Sequence, residues 1–436
     1  MKIIADLHLH SKYSRAVSSQ MNLTHIANWA AKKGIDLIGT GDFTHPIWLR
    51  ELEANLEEDE KGIYKLKNPT THVGYTNPAR FLLTTEISSI YKDKGKVRRI
   101  HTLLFLPSFA DVHEFCSQLI KRGCNIFSDG RPIIGLSVKA LTQIALEINP
   151  KALIIPAHAW TPWFGYYGSF GGYDSLDEGF EDLSKYIYAI ETGLSSDPAM
   201  NWKIEELKDR QIISFGDAHS GPKLGREATI FNLPSLTYEN IWKGLKGETK
   251  SILSTIEFYP EEGKYHYSGH AKCNIVLSPN EIRKKGPICP VCTKPLTIGV
   301  ASRVEHLAKL NLETKSWQDQ FGVRWIRQKD SSRPAYAMLV PLLEILSEVL
   351  SVGVGAKKVV NMFDAMIEKF GSEFKILLET PIKDIQNDFG SEVGEAISKV
   401  RSGDIVIEPG FDGIFGKVKI WQTPKHKDPL DQVSLF

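Results

Sequence analysis

Asp6-Leu7-His8-Leu9-His10-Ser11, Gly39-Thr40-Gly41-Asp42 and Gly216-Asp217-Ala218-His219-Ser220 decide how this chain of 436 residues is read. In His8-Leu9-His10 the imidazoles are two residues apart, so in extended backbone they share one face while Leu9 points into the packing behind. Asp217 and His219 repeat that spacing. Between the two pairs come Asp42, Glu86 after Leu83-Thr84-Thr85, His101 after Arg99-Ile100, and His158 after Ile154-Ile155-Pro156-Ala157. Each follows an apolar run that reads as a short buried strand, which predicts the polar residue at the strand's C-terminal end. An α/β barrel collects its active-site residues at the C-terminal ends of successive parallel strands. One such residue alone is an ordinary cap or surface group; the whole set, bracketed by two period-2 pairs, reads as a metal site.

These stretches resemble the polymerase-and-histidinol-phosphatase (PHP) superfamily of metal-dependent phosphoesterases over roughly the first 235 residues. The resemblance implies an α/β fold with a PHP-type distorted (β/α) barrel, in which His8, His10, Glu86, His101, His158, Asp217 and His219 hold two or three divalent ions. Two positions depart from the pattern. Thr40-Gly41-Asp42 stands where many members have Thr-Asp-His, which hands a ligand role to Asp42, with His45 a weaker candidate nearby. Tyr13-Ser14-Arg15 stands where many members carry an acidic or imidazole ligand; Arg15 then either grips a phosphate oxygen or is a plain surface residue. The implied chemistry is hydrolysis of a phosphate ester, with Asp217, Glu86 and Arg15 as the catalytic candidates. The imidazole-rich set suits Zn2+ or Mn2+ better than Mg2+.

Composition is that of an intracellular enzyme. The chain is 42% hydrophobic with a net charge of +1, long enough for two or three domains. No apolar run approaches a membrane span and no signal peptide is read, so a cytoplasmic, nucleoid-associated monomer is expected. Five cysteines do not make a disulfide scaffold. Three of them, with a histidine, form His270-x2-Cys273 and Cys289-x2-Cys292, the arrangement of a structural zinc knuckle with all four positions filled. Residues 264–333 carry 13 Lys and Arg against 5 Asp and Glu. With Trp317, Phe321 and Trp325 among Arg324, Arg327 and Arg333, that excess fits a polyanion-binding surface; a solvated helix face is the duller alternative.

Leu342 to Leu350 reads as an amphipathic helix, followed by Val352-Gly353-Val354-Gly355 and a second helix opening on Lys357 and Lys358. This resembles the helix-hairpin-helix element, in which glycines let backbone N–H groups approach a DNA phosphate. Residues 404–421 alternate like a β-hairpin. After a polar linker from Thr423 to Asp431, Gln432-Val433-Ser434-Leu435-Phe436 resembles the peptide with which bacterial repair proteins dock on the β sliding clamp, Gln432, Leu435 and Phe436 being the anchors. The expected domains are therefore 1–235, the barrel; 236–335, linker and zinc module; 336–422, helical; and 423–436, a flexible tail.

The joint order of these parts resembles a DNA-repair endonuclease within the superfamily. That resemblance implies a nick on the 5′ side of deaminated bases (hypoxanthine, uracil, xanthine) or abasic sites, with the base flipped from the duplex. The aromatic loop from Trp160 to Tyr173, with Trp163, Phe164, Tyr166, Tyr167 and Phe170, is the candidate lining of the base pocket; a packed rim is the alternative. A histidinol-phosphatase-like hydrolase of small phosphate esters, or a DNA-binding repair factor with a degenerate metal site, are the competing readings.

Overall fold

The computed structural model describes residues 1–69 and 79–422; the tail with Gln432, Leu435 and Phe436 lies outside them. Lys2–Asp6 is the axis of a ten-stranded sheet. It pairs in parallel with Leu37–Gly39 and antiparallel with Ala228–Asn232. Leu37–Gly39 pairs in turn with Arg80–Leu82. The chain then continues into the hairpin Thr84–Asp93/Lys96–Phe105, whose second strand pairs with Leu153–Pro156. Ala189–Glu191 and Gln211–Ile213 form a parallel pair, and the bridge Leu9–Ala218 brings the circuit back to the first strand. The result is a distorted α/β barrel.

The period of two shows directly in the packing. Ile3, Ala5 and Leu7 point into one cluster with Leu103, Phe105, Leu153, Ile155, Ile213 and Phe215, and the helix Tyr238–Lys246 closes it with Ile241, Trp242 and Leu245. Ile4, Ile38, Leu104 and Ile154, of the opposite parity, pack outward among the helices. Fully burying each such aliphatic side chain is worth about 1.5–3 kcal/mol.

Three expectations about organisation are corrected. The sheet does not end near residue 235: Ile252–Glu257 pairs with Ala228–Asn232, Ala335–Met338 pairs with Ile252–Glu257, and the hairpin Thr314–Gln318/Arg324–Gln328 extends the edge. Residues 236–335 are thus not a unit apart from the barrel, because backbone pairing over a long sequence separation leaves no local mark. Trp317, Arg324, Trp325 and Arg327 of the basic segment lie on that β-hairpin, so the helix face weighed as the alternative does not form there. Finally, the strands are not all parallel, and Glu86 and His101 lie within the strands of an antiparallel hairpin, not at C-terminal ends.

His270 ends the first strand of a small hairpin, Ser268–His270/Ile275–Leu277, and Cys273 lies in its turn, while Cys289 and Cys292 follow the helix Pro279–Lys285; the buried cluster here is Leu277, Cys289 and Leu296. The C-terminal hairpin Val406–Glu408/Lys417–Lys419 folds beside it, Asp412 accepting from Ala271 N at 2.6 Å and Thr297 Oγ1 at 2.5 Å. The helical part is docked on the barrel by the buried ion pair Lys33–Glu373 (2.7 Å) and by Lys32–Asp364 (2.7 Å). No helix among the described residues is long and apolar enough to cross a membrane.

Below the barrel mouth lies a carboxylate pair, Glu227 and Glu257, with no ion-pair partner among the described residues. Ser214 Oγ lies between them, 3.0 Å from Glu227 and 2.9 Å from Glu257, with one proton to give and lone pairs to accept another, and Thr192 Oγ1 lies 3.0 Å from Glu257. Burial pushes Glu257 up to about 8, so the native state holds a proton that the unfolded chain releases near pH 4.5. Stability contributed by this group is present below that pH and falls as pH rises toward 8. Glu257→Gln should therefore raise Tm at pH 9 more than at pH 5 in paired thermal scans.

Candidate metal centre

Two glycines explain why the second sequence stretch lies against the first. A Cβ on Gly41 (φ +59°) would meet Leu9 O at 2.3 Å, and one on Gly39 would meet Leu7 O at 2.5 Å, so only glycine permits this approach. Trp48, fully buried, donates to Gly41 O at 2.8 Å and locks the loop. The third stretch is tied in by Asp6, whose carboxylate accepts from Gly216 N and Gly225 N, both at 2.9 Å. Burial raises Asp6 to about 6 against those two donors. Asp42, His158 and Asp217 all have positive φ (52°, 29° and 44°), a conformation that costs of order 1–3 kcal/mol each and that surrounding structure must enforce.

This framework brings together one ligand group from His8, His10, Glu86 and Asp217, and a second from Glu86, His101 and His158. His10 Nε2 lies 3.1 Å from Glu86 Oε2 and 3.3 Å from Asp217 Oδ1, and His8 Nε2 lies 3.4 Å from the same Asp217 oxygen. On the other side of the glutamate, Oε1 is 2.6 Å from His101 Nδ1 and 3.0 Å from His158 Nε2. Glu86 thus faces both groups with separate oxygens. His8 Nε2, His10 Nε2 and Asp217 Oδ1 are buried with no hydrogen-bond partner among the described residues. Orphaned buried donor atoms are rare, and three converging on one point fit a divalent ion.

The electrostatics agree. Burial disfavours a charged His8, yet Glu191 and Asp217 lift its pKa well above the ordinary value. Burial likewise opposes ionisation of Glu86, and His101 and Arg131 overcome it, holding the carboxyl well below the usual range. These carboxylates favour any cation among the imidazoles, proton or divalent ion alike, so metal uptake is expected to release protons.

Several sequence expectations land elsewhere. Asp42 is not among the converging ligand atoms: Oδ1 takes His10 Nδ1 at 2.9 Å, and Oδ2 accepts from Ser11 N (2.6 Å), Ser11 Oγ (2.7 Å) and Ser14 Oγ (2.9 Å). It orients His10 from behind. His45 stacks on Tyr13 with ring centres 4.5 Å apart and precedes the helix Pro46–Asn55, away from the cluster. His219 lies at the margin, its ring 4.9 Å from that of His10 and its Nδ1 held by Asp217 O at 2.8 Å. Arg15 turns outward, with Nε 3.3 Å from Asp129 and a side chain 77% exposed. The cation at the cluster is Arg131, whose Nη1 sits 3.1 Å from Glu86 Oε2.

Sequence reasoning also missed Glu191, which holds His8 Nδ1 at 2.9 Å and accepts from His158 N at 2.6 Å. The signal existed: Ala189-Ile190-Glu191 is one more apolar run ending in a carboxylate. A carboxylate that fixes a ligand imidazole is worth roughly 10–100-fold in metal affinity. Glu191→Gln should weaken Mn2+ binding by about that factor with the fold unchanged, as read by metal titration alongside circular dichroism.

In the small module, His270, Cys273, Cys289 and Cys292 present donors within 4.8 Å of one another, His270 Nδ1 standing 3.3 Å from Cys292 Sγ. Burial works against ionisation of Cys289, but the backbone N–H groups of Cys292 and Val291 bring its thiol down to about 6. A thiolate in this setting suits zinc.

The aromatic loop divides. Tyr166 is fully buried, its hydroxyl donating to Ser175 O and Leu176 O at 3.0 Å, so it is a core residue and not a DNA contact; Tyr167 is buried as well. Trp163 is partly exposed and stacks on Phe170 at 4.7 Å, and Phe164 packs on His101 at 4.5 Å. In the helical part, Leu342–Leu350 and Lys357–Phe370 form the expected hairpin. Nothing stands within 4 Å of a Cβ built on Gly353 or Gly355, and Lys357 and Lys358 lie beside them at a helix start whose cap residue, Ala356, supplies no side-chain acceptor.

A distorted α/β barrel with two imidazole–carboxylate ligand groups sharing one glutamate is a metal-site fold of the PHP type. Comparison with known proteins narrows this. The lesion-specific endonuclease PfuEndoQ from Pyrococcus furiosus superposes with a TM-score of 0.81 at 31% identity, covering 99% of this chain and 98% of that one. Endonuclease Q in complex with a 27-mer duplex bearing an abasic lesion gives the same TM-score and identity, covering 99% and 100%. The Bacillus subtilis protein YqxK is 29% identical over 438 residues, 96% of this chain and 99% of its own length. A family model described as the MJ0043 C-terminal domain matches residues 341–404. The chain belongs to the endonuclease Q family.

Proposed function

We propose that this chain is a DNA-repair endonuclease that hydrolyses the phosphodiester on the 5′ side of a deaminated base or abasic site, using two or three divalent ions. The observation that carries the multi-metal reading is Glu86, with one oxygen turned to each ligand group. His8, His10, Glu86 and Asp217 would hold one ion and Glu86, His101 and His158 another, with His219 at the margin available for a third. Zn2+ or Mn2+ matches the imidazole-rich donors, ahead of Mg2+. Bound there, such ions supply a hydroxide at neutral pH and neutralise phosphoryl charge. Among the chain's own residues, Arg131 is placed to grip a phosphoryl oxygen, and Asp42 and Glu191 keep the imidazoles in the ligating tautomer.

For the lesion, a cavity of about 290 Å3 opens beside Trp163, Leu194 and Tyr265, and Thr161 links it to the cluster through His158 Nδ1 at 2.9 Å. An unstacked base could lie against Trp163 there. The open Gly353–Gly355 turn with Lys357 and Lys358 would hold duplex phosphates, and a structural Zn2+ in the His270 module would brace the C-terminal hairpin that Asp412 ties to it. The molecule would act as a monomer, tethered to the sliding clamp by Gln432, Leu435 and Phe436.

Incubating the full chain with a duplex bearing one hypoxanthine tests this. A single nick 5′ of the lesion is expected; turnover only of small phosphate esters would support a phosphatase, and retention without cleavage a repair factor lacking catalysis. Deleting residues 432–436 should leave intrinsic nicking intact and abolish stimulation by the β clamp.

A further inference from the structure

A second charged cavity, of about 390 Å3, opens on the other side of the barrel. It is lined by Gln211 and Ile252, which begin the strands Gln211–Ile213 and Ile252–Glu257, and by Ser332–Pro334, which lead into Ala335–Met338. Ile252–Glu257 runs in the same direction as Lys2–Asp6, since each is antiparallel to Ala228–Asn232. The metal-centre residues His8 and Asp217 come after the strands Lys2–Asp6 and Gln211–Ile213 end. The cavity is therefore at the opposite face from the metal centre.

Its charge is one-sided. Lys208, Arg210, Lys246, Lys250 and Arg333 line it, with Asp209 the single acid in the lining. Only Lys246 has an ion-pair partner among the described residues, Glu248 at 2.7 Å. Arg333 is anchored rather than waving: its Nη2 donates to Leu207 O (3.0 Å) and Lys208 O (2.8 Å), and its Nη1 is buried with no acceptor. Arg210 Nε is buried without a partner as well. Five cations gathered around one concavity repel each other, and their positions are costly unless an anion joins them. A guanidinium held in place beside lysine ammonium groups is the combination that suits a phosphoryl group: the planar fork supplies directed hydrogen bonds and the lysines supply charge.

We propose that this cavity is a phosphate-binding site, separate from the metal centre, which takes the phosphoryl group of a nucleotide or of a DNA strand passing over that face. The site is independent of the reading of the metal centre.

Calorimetric titration of the full chain with adenosine 5′-monophosphate tests it. Asp217→Ala, altered only at the metal centre, should retain one nucleotide site. Lys208→Gln/Lys250→Gln, altered at two exposed side chains with no hydrogen bond or ion pair among the described residues, should weaken that site at least about tenfold, the loss expected for charge-assisted hydrogen bonds. Equal binding by the double variant and the wild type overturns the proposal, as does loss of all nucleotide binding in Asp217→Ala. A short undamaged duplex then separates the sources. Displacement of the nucleotide, with a raised KM and unchanged kcat for nicking in the double variant, assigns the site to the DNA backbone; no displacement assigns it to a free nucleotide.

Discussion

Glu86→Ala should abolish nicking and leave the barrel folded. Both carboxylate oxygens are engaged, Oε2 beside His10 Nε2 at 3.1 Å and Oε1 beside His101 Nδ1 at 2.6 Å, so one truncation removes a ligand from each group at once. It also strands Arg131, 3.1 Å away, and leaves His101 and His158 facing each other without the carboxylate that both of them meet. Loss of a residue that merely orients a ligand costs roughly 10–100-fold, and removal of a shared ligand should exceed that range. The checks are nicking of a lesion-bearing duplex with Mn2+ present, and metal content after dialysis. Glu86→Gln keeps the shape and removes the charge, so wild-type nicking by that variant would show that the carboxylate does not bridge ions.

The second large effect is expected at Cys289. Its side chain is 1% exposed within a three-residue apolar core, far too small to stand alone. In modules of this kind zinc binding supplies about 10–16 kcal/mol and metal binding is the folding energy. Cys289→Ser should release one zinc per chain and unfold the segment around His270–Leu296. It should also free the C-terminal hairpin that Asp412 pins to Ala271 and Thr297. Limited proteolysis would show new cuts in 264–300, while metal loading of the barrel persists. Zinc content and cleavage pattern unchanged from the wild type would remove the structural role.

Much of the metal centre was legible because its signals are local. A period of two puts His8 and His10 on one face whatever the rest of the chain does, and the four donors His270, Cys273, Cys289 and Cys292, in two tight pairs, carry their geometry in their spacing. The helical hairpin around Gly353 and Gly355 was readable for the same reason: amphipathic periodicity and a glycine turn are properties of a few consecutive residues. The boundary expected at residue 235 failed where the cue was not local. Strand Ala335–Met338 completes a sheet begun at Lys2–Asp6, and nothing in either segment announces the other.

The same division holds for individual side chains. Asp42 and Glu191 look alike in sequence, each a carboxylate closing an apolar run, yet both orient an imidazole from behind, while Glu86 stands between the ligand groups. Arg15 carried the expected charge and Arg131 occupies the place. Tyr166 and Trp163 are three residues apart in one aromatic loop, and only Trp163 reaches solvent. From its sequence alone, this chain determined the converging residue types and the helical hairpin around Gly353 and Gly355, since those follow from chemistry and short-range periodicity. Which carboxylate stands between the ligand groups, which arginine lies beside it and which ring is exposed were decided only by the tertiary structure, because they depend on where strands distant in sequence come to rest against each other.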